Sequence, residues 1–325
     1  MRRMYSLIIF PVIFQSCFLN VFSFMSSSSR SCASFQCRHS STSLWALKGR
    51  PSGFHRNIKK NRISTDSKDN TRNGLQNMDT NSHLQHVAQS AANRIEEIIS
   101  QLQRNGYAIV DEFLGSDISV VYRREAELML SKMVPSQSTR WDETSNSVIA
   151  YDKHNVLSTQ LLGGEMYYSA PRLHEYIVSM VQNIVPLLSK TFPEAKLSPT
   201  LASNKLAVCL GDGSYYDKHF DNSGSDDFRK LTVLYYLNPS WTPDLGGYFR
   251  AFHPNKREDE VNINKENVMT SEYEDIAPIA DRLLIFWSDR LEHSVLPSTA
   301  PKGPVDHRYA MTIWIATTDS ASIHI

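Results

Sequence analysis

Apolar residues first recur at helical spacing: Leu84, Val87, Ala91, Ile95, Ile98, Ile99 and Leu102, with Gly106 behind them as a stop. A folded domain is therefore expected to begin near His83 with a helix, followed by a short strand at Tyr107–Val110. A second helix is predicted over 116–133, with Ser116 or Asp117 as its cap. A third covers 172–192 on the stripe Tyr176, Ile177, Met180, Val181, Ile184, Leu187 and Leu188, and Pro186 is expected to kink or restart it. Between these helices, 135–165 is polar and Gly-bearing and reads as a loop over a site mouth.

The period changes from Lys205 onward. Short runs at 206–210, 231–237, 248–252, 276–278, 282–287, 293–296 and 307–316 are separated by Gly, Pro and Asn turns, the pattern of a sandwich or barrel. The stretch 255–271 is charged and reads as a solvated insertion. This gives an α+β chain with a helical support region at 83–204 and a β-rich core at 205–325.

Upstream the pattern is different again. Residues 1–25 carry a basic start, Arg2 and Arg3, and an apolar run that Pro11, Gln15, Ser16 and Asn20 interrupt. That run suits a signal-peptide core better than a membrane span. Residues 26–62 are Ser-rich and basic, as transit peptides are. We therefore expect 1–65 to be a signal-plus-transit leader directing the chain to a plastid, with the secretory pathway, the ER or a retained membrane anchor as alternatives. No stable membrane insertion of the mature protein is expected. Residues 66–82 are polar and read as a disordered linker.

Charge sharpens this division. The formal net charge is zero, yet residues 1–65 hold ten Lys/Arg and no acid, leaving 24 basic against 34 acidic residues in the rest. An acidic folded part is a poor match for phosphate backbones, so no nucleic-acid partner is expected. Cys17, Cys32 and Cys37 fall in the leader, so Cys209 has no intrachain partner in the folded part.

The candidate chemistry lies between Tyr215 and Trp314. In extended chain His219 and Asp221 point the same way, and His293 arrives 74 residues after His219, behind the apolar run Leu283-Leu284-Ile285-Phe286-Trp287. Two imidazoles and one carboxylate on one side of a metal make the facial triad of non-haem Fe(II) oxygenases. Arg308, Thr312 and Trp314 share one face of the last strand. An inward Arg there calls for an anion, and a carboxylate gripped by two hydrogen bonds is its natural partner.

These residues carry a resemblance. The motifs H-F-D-N at 219–222, L-Y-Y-L-N at 234–238, W-x-x-x-x-G-G-x-x-R-x-F at 241–252, D-R-L-L-I-F-W-S-D-R at 281–290 and R-Y-A-M-T-I-W at 308–314 resemble the core of 2-oxoglutarate- and Fe(II)-dependent dioxygenases. Within that superfamily they are most similar to prolyl hydroxylases of the hypoxia-inducible-factor type, and a weaker likeness extends upstream to Asn105. The resemblance implies a double-stranded β-helix (jelly-roll) core braced by N-terminal helices. It implies Fe(II) held by His219, Asp221 and His293, and 2-oxoglutarate held by Arg308 and Tyr236 with Thr312 and Trp314 finishing its pocket. Further implications are O2 as co-reactant, ascorbate as reductant, and a proline-bearing protein or peptide as substrate. Another residue, a small molecule or a non-catalytic binding role are the alternatives. Arg308 favours this branch over collagen-type enzymes, which generally carry Lys there. Leu210 stands where the branch has a Tyr near the metal, and only eleven residues follow Trp314, so substrate-choosing parts are expected to differ.

Overall fold

The structure is a computed structural model that describes residues 79–323 apart from 223, 225–226, 254–271 and 300–302. The leader, the linker up to residue 78 and the charged insertion lie outside the described residues.

Helix α1, Thr80–Asn105, starts inside the stretch expected to be linker. The Asp79 carboxylate caps it, accepting from the Ser82 amide at 3.0 Å, and Gly106 closes it at φ 81°. Strand β1, Tyr107–Val110, follows, and then helix α2, Ser116–Met129. Neither Ser116 nor Asp117 caps α2. Gly115 takes that position, and the Asp281 carboxylate, from a distant loop, binds the amides of Leu114 and Gly115 at 2.8 and 2.7 Å.

The expected mouth loop is instead a hairpin of β2, Val134–Asp142, and β3, Ser147–Thr159. Most of β3 is exposed or half-buried on both sides, so no apolar alternation marks it in the sequence. Helices α3, Glu165–Ser169, and α4, Pro171–Ser189, come next, and α4 runs on through Pro186. Pro186 sits in the last turn, so the hydrogen bond that its missing amide would give to the residue four back is lost only at the helix end.

The strands that follow are β4 (Leu197–Cys209), β5 (Tyr216–His219), β6 (Arg229–Tyr236), β7 (Phe249–Phe252), β8 (Tyr273–Ile276), β9 (Leu283–Trp287), β10 (His293–Val295) and β11 (Arg308–Thr317). They form two antiparallel sheets, β1-β9-β6-β11-β4-β3-β2 and β5-β10-β7-β8. The larger sheet therefore crosses the expected boundary at 204/205. Strands β1 to β3 and the start of β4 belong to it, and the region upstream of Lys205 is not purely helical support.

Alternation sorts the side chains of the large sheet. Leu231, Val233, Tyr235, Met311 and Ile313 join Val87, Tyr122, Tyr176 and Met180 of the helices in one apolar core. Tyr236, Leu284, Phe286 and Ala310 point the other way and pack on Phe249, Ala251 and Ile276 of the small sheet. The site lies between the sheets. Among the described residues no helix is long and apolar enough to cross a membrane.

One buried cation ties the helices to the strand that ends at the site. Arg123 of α2 donates to the carbonyls of Leu237 (3.0 Å), His307 (2.8 Å), Pro304 and Val305 (both 3.1 Å), and its guanidinium lies 4.4 Å from the Tyr309 ring centre. These bonds hold the entry to β11, and so the backbone of Arg308. Removing the guanidinium leaves those carbonyls without their donor, which costs about 1–3 kcal/mol. Arg123→Met is expected to lower stability by about that amount in urea unfolding; a change under about 0.5 kcal/mol, the level of an ordinary surface substitution, would show the network to be dispensable.

Candidate metal centre

His219 ends β5 and faces His293 directly across the antiparallel pair with β10. The two rings are 4.3 Å apart, centre to centre. Asp221 follows two residues after His219, and its Oδ1 lies 3.7 Å from His219 Nε2 and 3.8 Å from His293 Nε2. One ligand atom from each of the three residues can be chosen so that all lie within 4.8 Å of one another. That is the spacing of donors around a single ion.

The surroundings fix each donor. His219 Nδ1 donates to the Asp217 carbonyl at 2.7 Å and His293 Nδ1 to the Leu291 carbonyl at 3.0 Å, in the tautomer that leaves Nε2 bare on both rings. His293 is buried and wedged by Phe249, stacked at 4.8 Å, and Phe286, edge-on at 4.9 Å. Burial pushes its pKa down to about 4, so it is a neutral ligand at physiological pH. Burial alone would raise Asp221. The flanking imidazoles, whenever they carry a second proton, and the hydrogen bond from Thr232 outweigh it and hold the carboxyl well below the usual range.

Asp221 Oδ2 accepts a hydrogen bond from Thr232 Oγ1 at 2.7 Å, and that hydroxyl lies 2.8 Å from Ser288 Oγ. Thr232 of β6 was not singled out in the sequence, although its even spacing to Tyr236 puts both on the inner face. Replacing such an outer partner costs about 10–100-fold in metal affinity. Thr232→Val, which keeps the shape, is expected to weaken Mn(II) binding within that range in calorimetry; unchanged affinity would remove Thr232 from the site.

Arg308 reaches the same cleft from β11 and is 6% exposed. Its Nε donates to the Gly247 carbonyl at 2.7 Å, which turns the outer edge of the guanidinium toward Tyr236, whose ring centre is 5.2 Å away. The Gly246-Gly247 pair has φ of 63° and 69°, and a Cβ on Gly247 would meet Arg308 Cδ at 2.8 Å and Ser298 Oγ at 2.7 Å. Glycine is required there for both reasons. The Tyr236 hydroxyl and the Trp314 indole nitrogen are buried without a hydrogen-bond partner, and Thr312 and Trp314 line the cleft. Buried donors left open in this way mark places for a ligand.

Leu210 does not face the metal position. It packs against the helix-side core, while Cys209, one residue earlier, lies opposite Arg308 across the β4–β11 pair. Lys153 of β3 and Lys205 of β4 also line the cleft, and neither was picked out in the sequence as a site residue.

Fold and donor set together define a class. Residues 205–316 match the family model of the 2OG-Fe(II) oxygenase superfamily. Within it, the chain is similar to prolyl hydroxylases of the hypoxia-inducible-factor type. It is 30% identical over 231 residues to the hypoxia-inducible factor prolyl hydroxylase of Caenorhabditis elegans, covering 67% of this chain and 28% of that one. Identity to human prolyl hydroxylase EGLN3 is 29% over 226 residues, covering 68% and 82%. A Trichoplax adhaerens prolyl hydroxylase, solved with a peptide of the hypoxia-inducible factor oxygen degradation domain, superposes with a TM-score of 0.55 at 26% identity, covering 73% of this chain and 95% of that one.

Proposed function

We propose that this protein is a 2-oxoglutarate- and Fe(II)-dependent dioxygenase that hydroxylates a proline in a protein or peptide. The observation that carries the reading is the convergence of His219, Asp221 and His293 with Arg308 in one cleft between two antiparallel sheets. The relatives named prolyl hydroxylases support the acceptor, and they support a core wound as a double-stranded β-helix.

The residues present fit both groups. His219 and His293 offer bare Nε2 atoms and Asp221 an ionised oxygen, a hard-to-borderline set suited to Fe(II). Arg308, fixed by Gly247, would hold the far carboxylate of 2-oxoglutarate, and the open Tyr236 hydroxyl would donate to the same group. Together with O2, the bound iron and 2-oxoglutarate supply oxidative decarboxylation to succinate and CO2 coupled to hydroxylation of a C–H bond. The chain's part is to fix the donors before binding and to shield them from water. Phe249 and Phe286 brace one face of this arrangement, and Thr232 restrains the carboxylate.

The test is succinate formation from 2-oxoglutarate by the purified chain with Fe(II), with and without proline-bearing peptides. Turnover that peptides stimulate and His293→Ala abolishes is the expected result. Turnover surviving His293→Ala would falsify the site.

A further inference from the structure

Two lysines stand in the cleft with no carboxylate to meet them. Lys153 Nζ lies 3.9 Å from the Tyr216 ring centre, and Lys205 Nζ lies 5.5 Å from the ring centres of both Tyr216 and Trp314. Both line the space that His219, Asp221, His293 and Arg308 share. Both are half-buried, and neither forms an ion pair among the described residues. The carboxylates whose fields reach Lys153 are Asp221 and Asp217. Asp221 belongs to the donor set, and Asp217 accepts the Tyr151 hydroxyl at 2.7 Å.

Charge in the loaded site decides what this means, and here the argument rests on the proposed function. The metal's two positive charges and the Arg308 guanidinium balance Asp221 and the two carboxylates of 2-oxoglutarate. Lys153 and Lys205 are then left over. Two cations sharing one cleft repel each other, and an anion between them would relieve that repulsion. The buried Trp314 N–H beside Lys205 is a further donor with nothing to meet. Since the cosubstrate's two ends are already taken, the anion must come with the acceptor.

We propose that Lys153 and Lys205 form a second anion site and that the acceptor presents a carboxylate next to the proline, either an acidic neighbouring residue or the proline's own terminal carboxylate. Burial lowers Lys153 to about 8 with the field of Lys205 adding to it, and it lowers Lys205 as well; an anion between them would reverse both shifts. The flanking aromatic rings, Tyr216 and Trp314, suit an acceptor with an apolar ring beside its charged group.

Binding, not turnover, is the readout. The full chain is loaded with Mn(II) and 2-oxoglutarate without oxygen and titrated calorimetrically with three probes: alanine-based peptides with one proline flanked by Glu, the same peptides with Gln, and peptides ending in a free proline carboxylate. At least one carboxylate-bearing probe is expected to bind tenfold or more tighter than the Gln peptide, and which one does so identifies the source of the anion. Lys153→Gln/Lys205→Gln is expected to erase that preference, and Lys153→Arg/Lys205→Arg to keep most of it. Equal binding of all three probes to wild type would overturn the proposal. So would a double Gln variant that keeps the preference but loses 2-oxoglutarate binding, since that would assign the lysines to the cosubstrate. Failure of wild type to take up Mn(II) and 2-oxoglutarate in the preceding titration is a different result, and it sinks the proposed function itself.

Discussion

Asp221→Ala should give a protein that folds but no longer holds a divalent ion at micromolar concentrations. Its Oδ1 lies within 4 Å of both imidazole Nε2 atoms, and it is the only anionic member of the donor set. Removing it leaves two imidazole nitrogens, one of them on a half-exposed ring. Losing an outer partner already costs about 10–100-fold in affinity, and losing the charged ligand itself must exceed that. Mn(II) titration followed by electron paramagnetic resonance measures the effect, and succinate formation should fall to background in parallel. Asp221→Glu is the more searching variant. It keeps the charge but carries the oxygen about 1.5 Å further along the side chain, past the Thr232 hydroxyl that now positions it. Metal affinity near the wild-type value in Asp221→Ala would show that the three side chains meet for a structural reason.

What made the meeting of these three residues legible was periodicity. An alternating strand sends i and i+2 to one face, which places His219 and Asp221 together. The apolar run 283–287 then marks the buried strand that delivers His293. Thr312 and Trp314 could be placed beside Arg308 by the same rule, and Tyr236 beside Thr232. The β2–β3 hairpin could not be read this way. Its hydrogen bonds join it to β4 only from Val156 to Thr159, and before Val156 the residues of β3 are exposed or half-buried, so nothing in their polarity alternates. The start of α1 depended on a side-chain cap, Asp79 to Ser82, within a stretch too polar to suggest a helix. Lys205 carried a signal that went unused. Leu206 and Val208 face the helices, so Lys205, Ala207 and Cys209 had to face the cleft, and a lysine on an inward face calls for an explanation just as Arg308 did.

Arg308→Ala is expected to raise the KM for 2-oxoglutarate by about two to three and a half orders of magnitude while Mn(II) affinity stays close to wild type. The guanidinium is buried, its Nε is spent on Gly247, and it lines the cleft 5.2 Å from the Tyr236 ring centre. A carboxylate that enters without it is buried opposite no cation, a loss of about 3–5 kcal/mol. At about 1.4 kcal/mol per decade this corresponds to the stated range. Arg308→Lys separates charge from shape. An ammonium supplies the charge but neither the paired donors nor the bond to Gly247, so it should recover only part of the loss. Gly247→Ala approaches the same carboxylate from behind, since its new methyl would press on Arg308 Cδ at 2.8 Å in a backbone conformation that alanine disfavours. If the guanidinium is the anchor, Gly247→Ala will raise the same KM and leave the metal in place, although residue 247 touches neither ligand. Equal damage to Mn(II) binding in Arg308→Ala would instead mean that Arg308 supports the cleft as a whole and that the far carboxylate is held elsewhere.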